Sequence, residues 1–216
     1  MHGLPGQLPA MAANDLEQAL ALEPEHLSWY QLTIEPNTVF NKRPPTLPVE
    51  DALADIQDRG ELLLENQGYA QYEVSAYSRP ELQCQHNLNY WSFGDYLALG
   101  AGAHGKITAA DGSIRRYAKT RAPQDYLQGE RYTASKRVLN QGELIGEFMM
   151  FALRLNNGFS TQRFEQVTGL SADQLRPKVQ SLADRELLST DGDNIRATPL
   201  GRRFLDSVIA EFLPND

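Results

Sequence analysis

The sequence has one cysteine, Cys84, in 216 residues. A lone thiol cannot close an internal disulfide, which fits a reducing, cytoplasmic setting. Nor can it hold an iron–sulfur cluster, which takes several thiolates. No apolar run approaches the ~20 residues of a membrane span, and no basic stretch leads into an apolar one as in a secretory signal. Positive charge is also scarce: 20 Lys and Arg stand against 28 Asp and Glu, a net charge of −8 and a pI near 5.1. That balance argues against a nucleic-acid backbone as a general partner. What is present is enough apolar material, 41% of residues, to build a real core, in a chain long enough for one large or two small domains.

Met1-His2-Gly3-Leu4-Pro5-Gly6-Gln7 reads as the end of a strand and a turn into a helix, as if the chain began inside a fold. Met11, Leu16, Ala19, Leu20 and Leu22 then recur at helical spacing up to Pro24. Leu27–Ile34 is expected as a strand ending before Pro36, Val49–Asn66 as a helix with Glu50 and Asp51 in its first turn, and Tyr69–Ser78 as a second strand. Alternating strands and helices predict parallel strands joined by crossovers. Such strands are normally apolar on both faces. Here Gln31, Thr33 and Glu35, and then Gln71, Glu73 and Ser75, form polar faces. Either these line the lumen of an open barrel, with a site at the strand ends, or they are the wet face of an edge strand. Glu73 is either a buried acid or a partner for Arg79; His26, between helix and strand, is expected to be exposed.

His86-Asn87-Leu88-Asn89-Tyr90-Trp91 concentrates an imidazole, two amides, a phenol and an indole. An imidazole ligates metals and flat aromatics stack on flat ligands. The hexapeptide is therefore a candidate site for a tetrapyrrole such as heme, or else a surface loop anchored by Tyr90 and Trp91. The glycines at 100, 102 and 105 lack dinucleotide-fingerprint spacing and suit close packing against a ligand or a neighbouring strand. His104 beside them reads as a structural histidine. Ile114–Tyr117 is expected to pair back across Asp111-Gly112, and residues 118–140 to connect two domains, with a short helix near Pro123–Leu127.

From Gln141 the spacing of Leu144, Phe148, Phe151 and Leu155 predicts a helix. Ser160 and Ser171 are N-caps, Pro177 marks a kink or a late helix start, Asp191-Gly192 a hairpin, and Thr198-Pro199 the start of a last helix. Three helices, a hairpin and a helix outline a winged-helix-like domain. Such domains often bind DNA. Residues 141–216 hold eight Lys and Arg against eleven Asp and Glu, net −3, which favours a protein-packing role.

Several segments resemble one family: His2-Gly3-Leu4-Pro5-Gly6-Gln7, Ser28 through Thr38, Tyr72-Glu73-Val74-Ser75-Ala76-Tyr77, His86-Asn87-x-x-Tyr90-Trp91, Gly94-Asp95-Tyr96 through Gly105, and, in the tail, Leu153-Arg154-Leu155, Thr168-Gly169-Leu170 and Thr198-Pro199-x-Gly201. Together they resemble the C-terminal half of the oxygen-independent coproporphyrinogen III oxidase-like radical S-adenosylmethionine (SAM) proteins, on their heme-chaperone branch. The resemblance implies an α/β fold: the C-terminal part of a partial (β/α) barrel over 1–117, a connection over 118–140 and a winged-helix-like domain over 141–216. It also implies a heme-trafficking function, with heme held by His86, Asn87, Tyr90 and Trp91 and passed to membrane-bound acceptors. The sister-branch alternative is the oxidase itself, acting on a porphyrinogen. Family members carry a [4Fe–4S] cluster on a CxxxCxxC motif that this sequence lacks, so the chain looks like part of a longer protein, inactive in radical chemistry by itself. For SAM, the resemblance points to Gln31 and Thr33.

Overall fold

The computed structural model describes residues 1–129 and 132–214. The chain divides into two compact units, Met1–Cys84 and Gln85–Asp216. The first holds α1 (Pro9–Leu20), β1 (His26–Ser28), α2 (Val39–Lys42), α3 (Glu50–Asn66), β2 (Ala70–Glu73) and β3 (Ala76–Ser78). The second holds α4 (Gln85–Trp91), β4 (His104–Thr108), β5 (Ile114–Lys119), α5 (Pro123–Gln128), β6 (Thr133–Val138), α6 (Gln141–Ala152), β7 (Phe159–Ser160), α7 (Thr161–Thr168), α8 (Arg176–Asp184), β8 (Leu188–Asp191), β9 (Asn194–Ala197), α9 (Pro199–Arg203) and α10 (Leu205–Ala210).

In the first unit the strand–helix–strand order yields one parallel bridge, His2 to Gln31, with α1 as its crossover. The remaining pairings are antiparallel, in the order β1-β3-β2. β1 and β2 therefore run the same way, as the crossover rule demands, but β3 lies between them. The cause is a turn at Val74-Ser75, which folds the expected strand Tyr69–Ser78 back into a hairpin. The turn holds Ser75 but no glycine, proline, asparagine or aspartate. Its carbonyls are satisfied from outside: the Gln71 side chain donates to the Val74 carbonyl at 3.1 Å, and the Trp29 amide donates to that of Ser75 at 2.8 Å. The turn, with a bulge between Gln71 and Glu73, also breaks the polar face expected along 71, 73 and 75. Glu73 is buried, whereas Gln71 and Ser75 are half-buried.

The core of this unit packs α1 and α3 against Trp29, Tyr69 and Tyr77. Gly60 of α3 gives Trp29 its place: a Cβ there would lie 1.9 Å from the indole edge. His2 is 1% exposed and stacks on Trp29 at 4.1 Å. His26 is half-buried rather than exposed, 2.9 Å from the Tyr72 hydroxyl.

In the second unit, residues 118–140 are not a bare connection. They complete β5 and supply α5 and β6, which pairs with β5 in a β4-β5-β6 sheet. The β4–β5 hairpin turns at Asp111-Gly112 as expected. Gly105 faces Tyr117 across it, where a Cβ would lie 2.3 Å from the ring, so this glycine makes room for a neighbouring strand rather than a ligand.

From α6 onward the elements follow the winged-helix-like plan, with a β7-β9-β8 sheet. An Asn140–Glu143 capping box opens α6. Ser160 caps α7, and Gly169 ends it at φ +72°, a left-handed conformation that costs glycine no Cβ clash. Pro177 marks a late start, with a short 3₁₀ turn at Ala172–Gln174 before α8. The last expected helix is broken at Phe204 into α9 and α10. Phe148, fully buried, meets Phe93, Phe159 and Phe164 edge-on at 5.7, 4.8 and 5.0 Å, a geometry that aromatic quadrupoles favour.

Candidate functional site

The hexapeptide is helical, not a loop: it forms α4. It contains neither glycine nor proline, and His86 and Tyr90, at i and i+4, meet ring to ring. Asn89 secures the helix exit. Its side-chain amide donates to the Asp95 carbonyl at 3.0 Å, and its backbone carbonyl accepts from the Gly94 amide at 2.7 Å. A Cβ on Gly94 would lie 2.0 Å from the Asn89 side-chain oxygen.

The helix is fastened to the second unit from several sides. Phe93, just beyond it, is buried in that unit's aromatic core. Arg163 of α7 donates to the Ser92 carbonyl at 2.8 Å. Lys106 of β4, 1% exposed, donates to the Phe93 carbonyl at 3.0 Å and to Asp95 at 2.8 Å, and lies 4.2 Å from the centre of the Phe93 ring. Burial pushes the Lys106 ammonium below the ordinary lysine range, opposed by Asp95. Asp95 also accepts from the Thr108 amide and hydroxyl at 2.8 and 2.9 Å. None of Asn89, Lys106, Asp95 and Arg163 was singled out as a site residue on sequence. The available signals were Asn89, inside the hexapeptide, and Asp95, within the Gly94-Asp95-Tyr96 match.

His86 is exposed, and the Tyr90 ring lies beside it, edge-on at 4.7 Å. Tyr90 lies 4.4 Å from Tyr96, whose hydroxyl accepts a hydrogen bond from Arg116. Arg116 also binds Glu147 of α6 through two nitrogens at 2.7 and 2.6 Å. The result is a ladder from imidazole through two phenols to a guanidinium. Beside its far end, His104, Arg116, Ser135, Arg137 and Glu147 border a cavity of 280 Å³. On the other side of α4, Trp91 packs against Phe151 at 5.9 Å, and the Arg154 guanidinium lies over the Trp91 ring. The structure thus brings His86 and Tyr90 into contact and turns Trp91 toward α6. Asn87 is half-buried.

Gln31 and Thr33 belong to the first unit. Both are exposed, and Thr33 donates its hydroxyl to Glu35 at 2.9 Å. Among the described residues no cluster of three or more His, Cys, Asp or Glu side chains is arranged to hold a metal ion. With one thiol, the residues present do not fit a [4Fe–4S] cluster.

Residues 139–204 match the family described as the HemN C-terminal domain. The chain is 49% identical to heme chaperone HemW of Escherichia coli over 99% of its own length and 56% of that protein. It is 45% identical to heme chaperone HemW of Haemophilus influenzae over 100% of its own length and 56% of that protein. Its fold matches the solved structure of E. coli coproporphyrinogen III oxidase HemN, a radical SAM enzyme, with a TM-score of 0.74 at 20% identity, over 98% of this chain and 53% of that one. The chain therefore spans about half the length of the curated relatives it matches. In sequence it is thus similar to heme chaperones HemW over that half, with residues 139–204 resembling the HemN C-terminal domain, and in fold it is similar to about half of HemN.

Proposed function

We propose that this chain is the heme-holding part of a heme-trafficking protein. The observation that carries the reading is the identity to relatives named heme chaperones, which runs across the whole chain rather than across one domain. The surface chemistry of α4 supports it. An imidazole open to solvent can approach an iron centre without first being uncovered, and its nitrogen is a good iron ligand. Tyr90 beside it offers a flat face. His86 is the proposed iron ligand, and Asn87, Tyr90 and Trp91 are the residues that build the platform. An accessible ligand on a rigid helix suits cargo that must leave again, as delivery to membrane-bound acceptors requires. No helix among the described residues is long and apolar enough to cross a membrane, so such an acceptor would be met at its surface. A cytoplasmic setting accords with the lone thiol.

The test is a hemin titration of the full-length protein and its His86→Ala variant, beside an assay for coproporphyrinogen III oxidation. The expected result is a loss of about tenfold or more in hemin affinity, loss of the histidine-ligated absorption band, and no oxidase turnover in either protein. Turnover by the unaltered protein would favour the sister-branch oxidase. Unchanged hemin binding by His86→Ala would remove His86 as the ligand.

The [4Fe–4S] cluster and SAM belong, on this reading, to the longer protein. The cluster ligands lie outside this sequence, and Gln31 and Thr33, both exposed, are proposed SAM contacts by resemblance to the family's matching strand.

A further inference from the structure

Trp91, the last residue of α4, and Arg154, just past α6, make an unusual pair. The Arg154 guanidinium carbon lies 4.6 Å from the centre of the Trp91 ring. The indole Nε1 and the guanidinium Nε are both shielded from solvent, and neither has a hydrogen-bond partner among the described residues. Nor does any carboxylate among those residues form an ion pair with Arg154. Other arginines around α4 are committed: Arg116 to Glu147 and Tyr96, Arg137 to Glu143 and Glu147, and Arg163 to the Ser92 carbonyl.

Buried donors are nearly always satisfied, and two unsatisfied ones together call for an explanation. Both groups here are donors only, so two donors cannot satisfy one another. What is missing is an acceptor, and beside an uncompensated guanidinium it should be an anion. A carboxylate supplies two acceptor oxygens and the matching charge, and arginine binds it through charge-assisted, often paired hydrogen bonds. Arg154 and Trp91 as whole residues are half-buried rather than sealed. A modest turn of the flexible arginine side chain presents its fork to an incoming group.

We infer that Arg154 and Trp91 form a carboxylate-binding site. This rests on the heme reading above for its ligand: the carboxylate is a propionate of the tetrapyrrole, so the acidic edge of the ring is recognised as well as its iron. Positions 86 and 91 are separated by about 7.5 Å of helix rise and leave the axis about 140° apart. Iron ligation and the carboxylate grip are thus separable contacts.

The test uses the full-length protein with metal-free mesoporphyrin IX, which cannot be ligated through iron, and its dimethyl ester, which has no carboxylate. The ester is expected to bind about tenfold more weakly than the acid, the loss of one charge-assisted contact. Arg154→Gln should weaken acid binding to the level of the ester and leave ester binding as it was, with Arg154→Lys in between. Trp91→Phe keeps the ring and removes only the N–H; it should cost the acid about threefold. It also assigns the indole N–H resonance of Trp91, which should move downfield on adding the acid and stay in place with the ester. A merely structural pair would not move that resonance selectively. Equal affinity for acid and ester, or wild-type acid binding by a folded Arg154→Gln protein, overturns the inference. Wild-type hemin binding by His86→Ala, with the acid–ester difference intact, sinks the ligation reading and leaves the carboxylate site standing. No binding of any porphyrin overturns both.

Discussion

At His2 the fold holds an imidazole almost wholly out of water against Trp29. Burial, helped by the nearby amino terminus, pushes its pKa from 6.5 down to about 4. In the unfolded chain the same group takes up a proton near pH 6.5. Between those values the unfolded state binds the extra proton, so stability is fully present above pH 6.5 and falls as the pH drops toward 4. The loss amounts to about 3 kcal/mol once the pH is below both values. Urea unfolding of the first unit from pH 7.5 to 4 should show that decline, and His2→Phe should flatten it. Lys106 tells a different story at the same scale. It ties the exit of α4 to β4 through Phe93 and Asp95. Lys106→Met keeps the stem but removes the ammonium, leaving a buried carbonyl without its donor. It should cost the second unit about 2 kcal/mol, read as a lower urea midpoint at unchanged slope. Lys106 was not legible as important from its neighbours in sequence, since burial is a property of what packs on it.

At the scale of elements, α3 shows how one small residue sets a packing distance. Its pattern predicts the helix almost to the residue, with Gly60 inside it. What the pattern does not show is that Gly60 faces Trp29 closely enough that any side chain would strike the indole. Gly60→Ala should raise intrinsic helix propensity and still destabilise the unit by about 1–3 kcal/mol, because Trp29 must leave its position. A lowered thermal midpoint, with weaker near-ultraviolet ellipticity from the tryptophan, would register it; a stabilised variant would refute the packing argument. The capped helices of the second unit were legible because caps are local: Ser160 for α7 and Thr198 for α9 accept from amides three residues on. The Val74-Ser75 turn was not. It is made by Gln71 and Trp29 supplying donors, and Trp29 is distant in the chain. Likewise α4, for which a surface loop was the alternative to a ligand site, is held as a helix by Phe93, Lys106 and Arg163.

For the molecule as a whole, one cysteine and no metal-holding cluster among the described residues lead to a direct expectation. After reconstitution with iron, sulfide and dithionite, the purified chain should not cleave SAM to 5′-deoxyadenosine, as followed by chromatography; measurable cleavage would contradict it. Sequence by itself determined the capped helices and winged-helix-like order from α6 onward, the resemblance to one family, and the concentration of ligand-type side chains at 86–91. These follow from periodicity, local capping and motif spacing, which a linear reading retains. Tertiary structure alone decided that the 69–78 segment doubles back, that residues 118–140 complete a sheet, and that α4 belongs to the unit built around Phe148. It also decided that His86 faces solvent while Trp91 and Arg154 are left with donors to satisfy. Each of these depends on which distant group supplies a hydrogen bond or excludes water, and a sequence does not state distances between residues far apart along it.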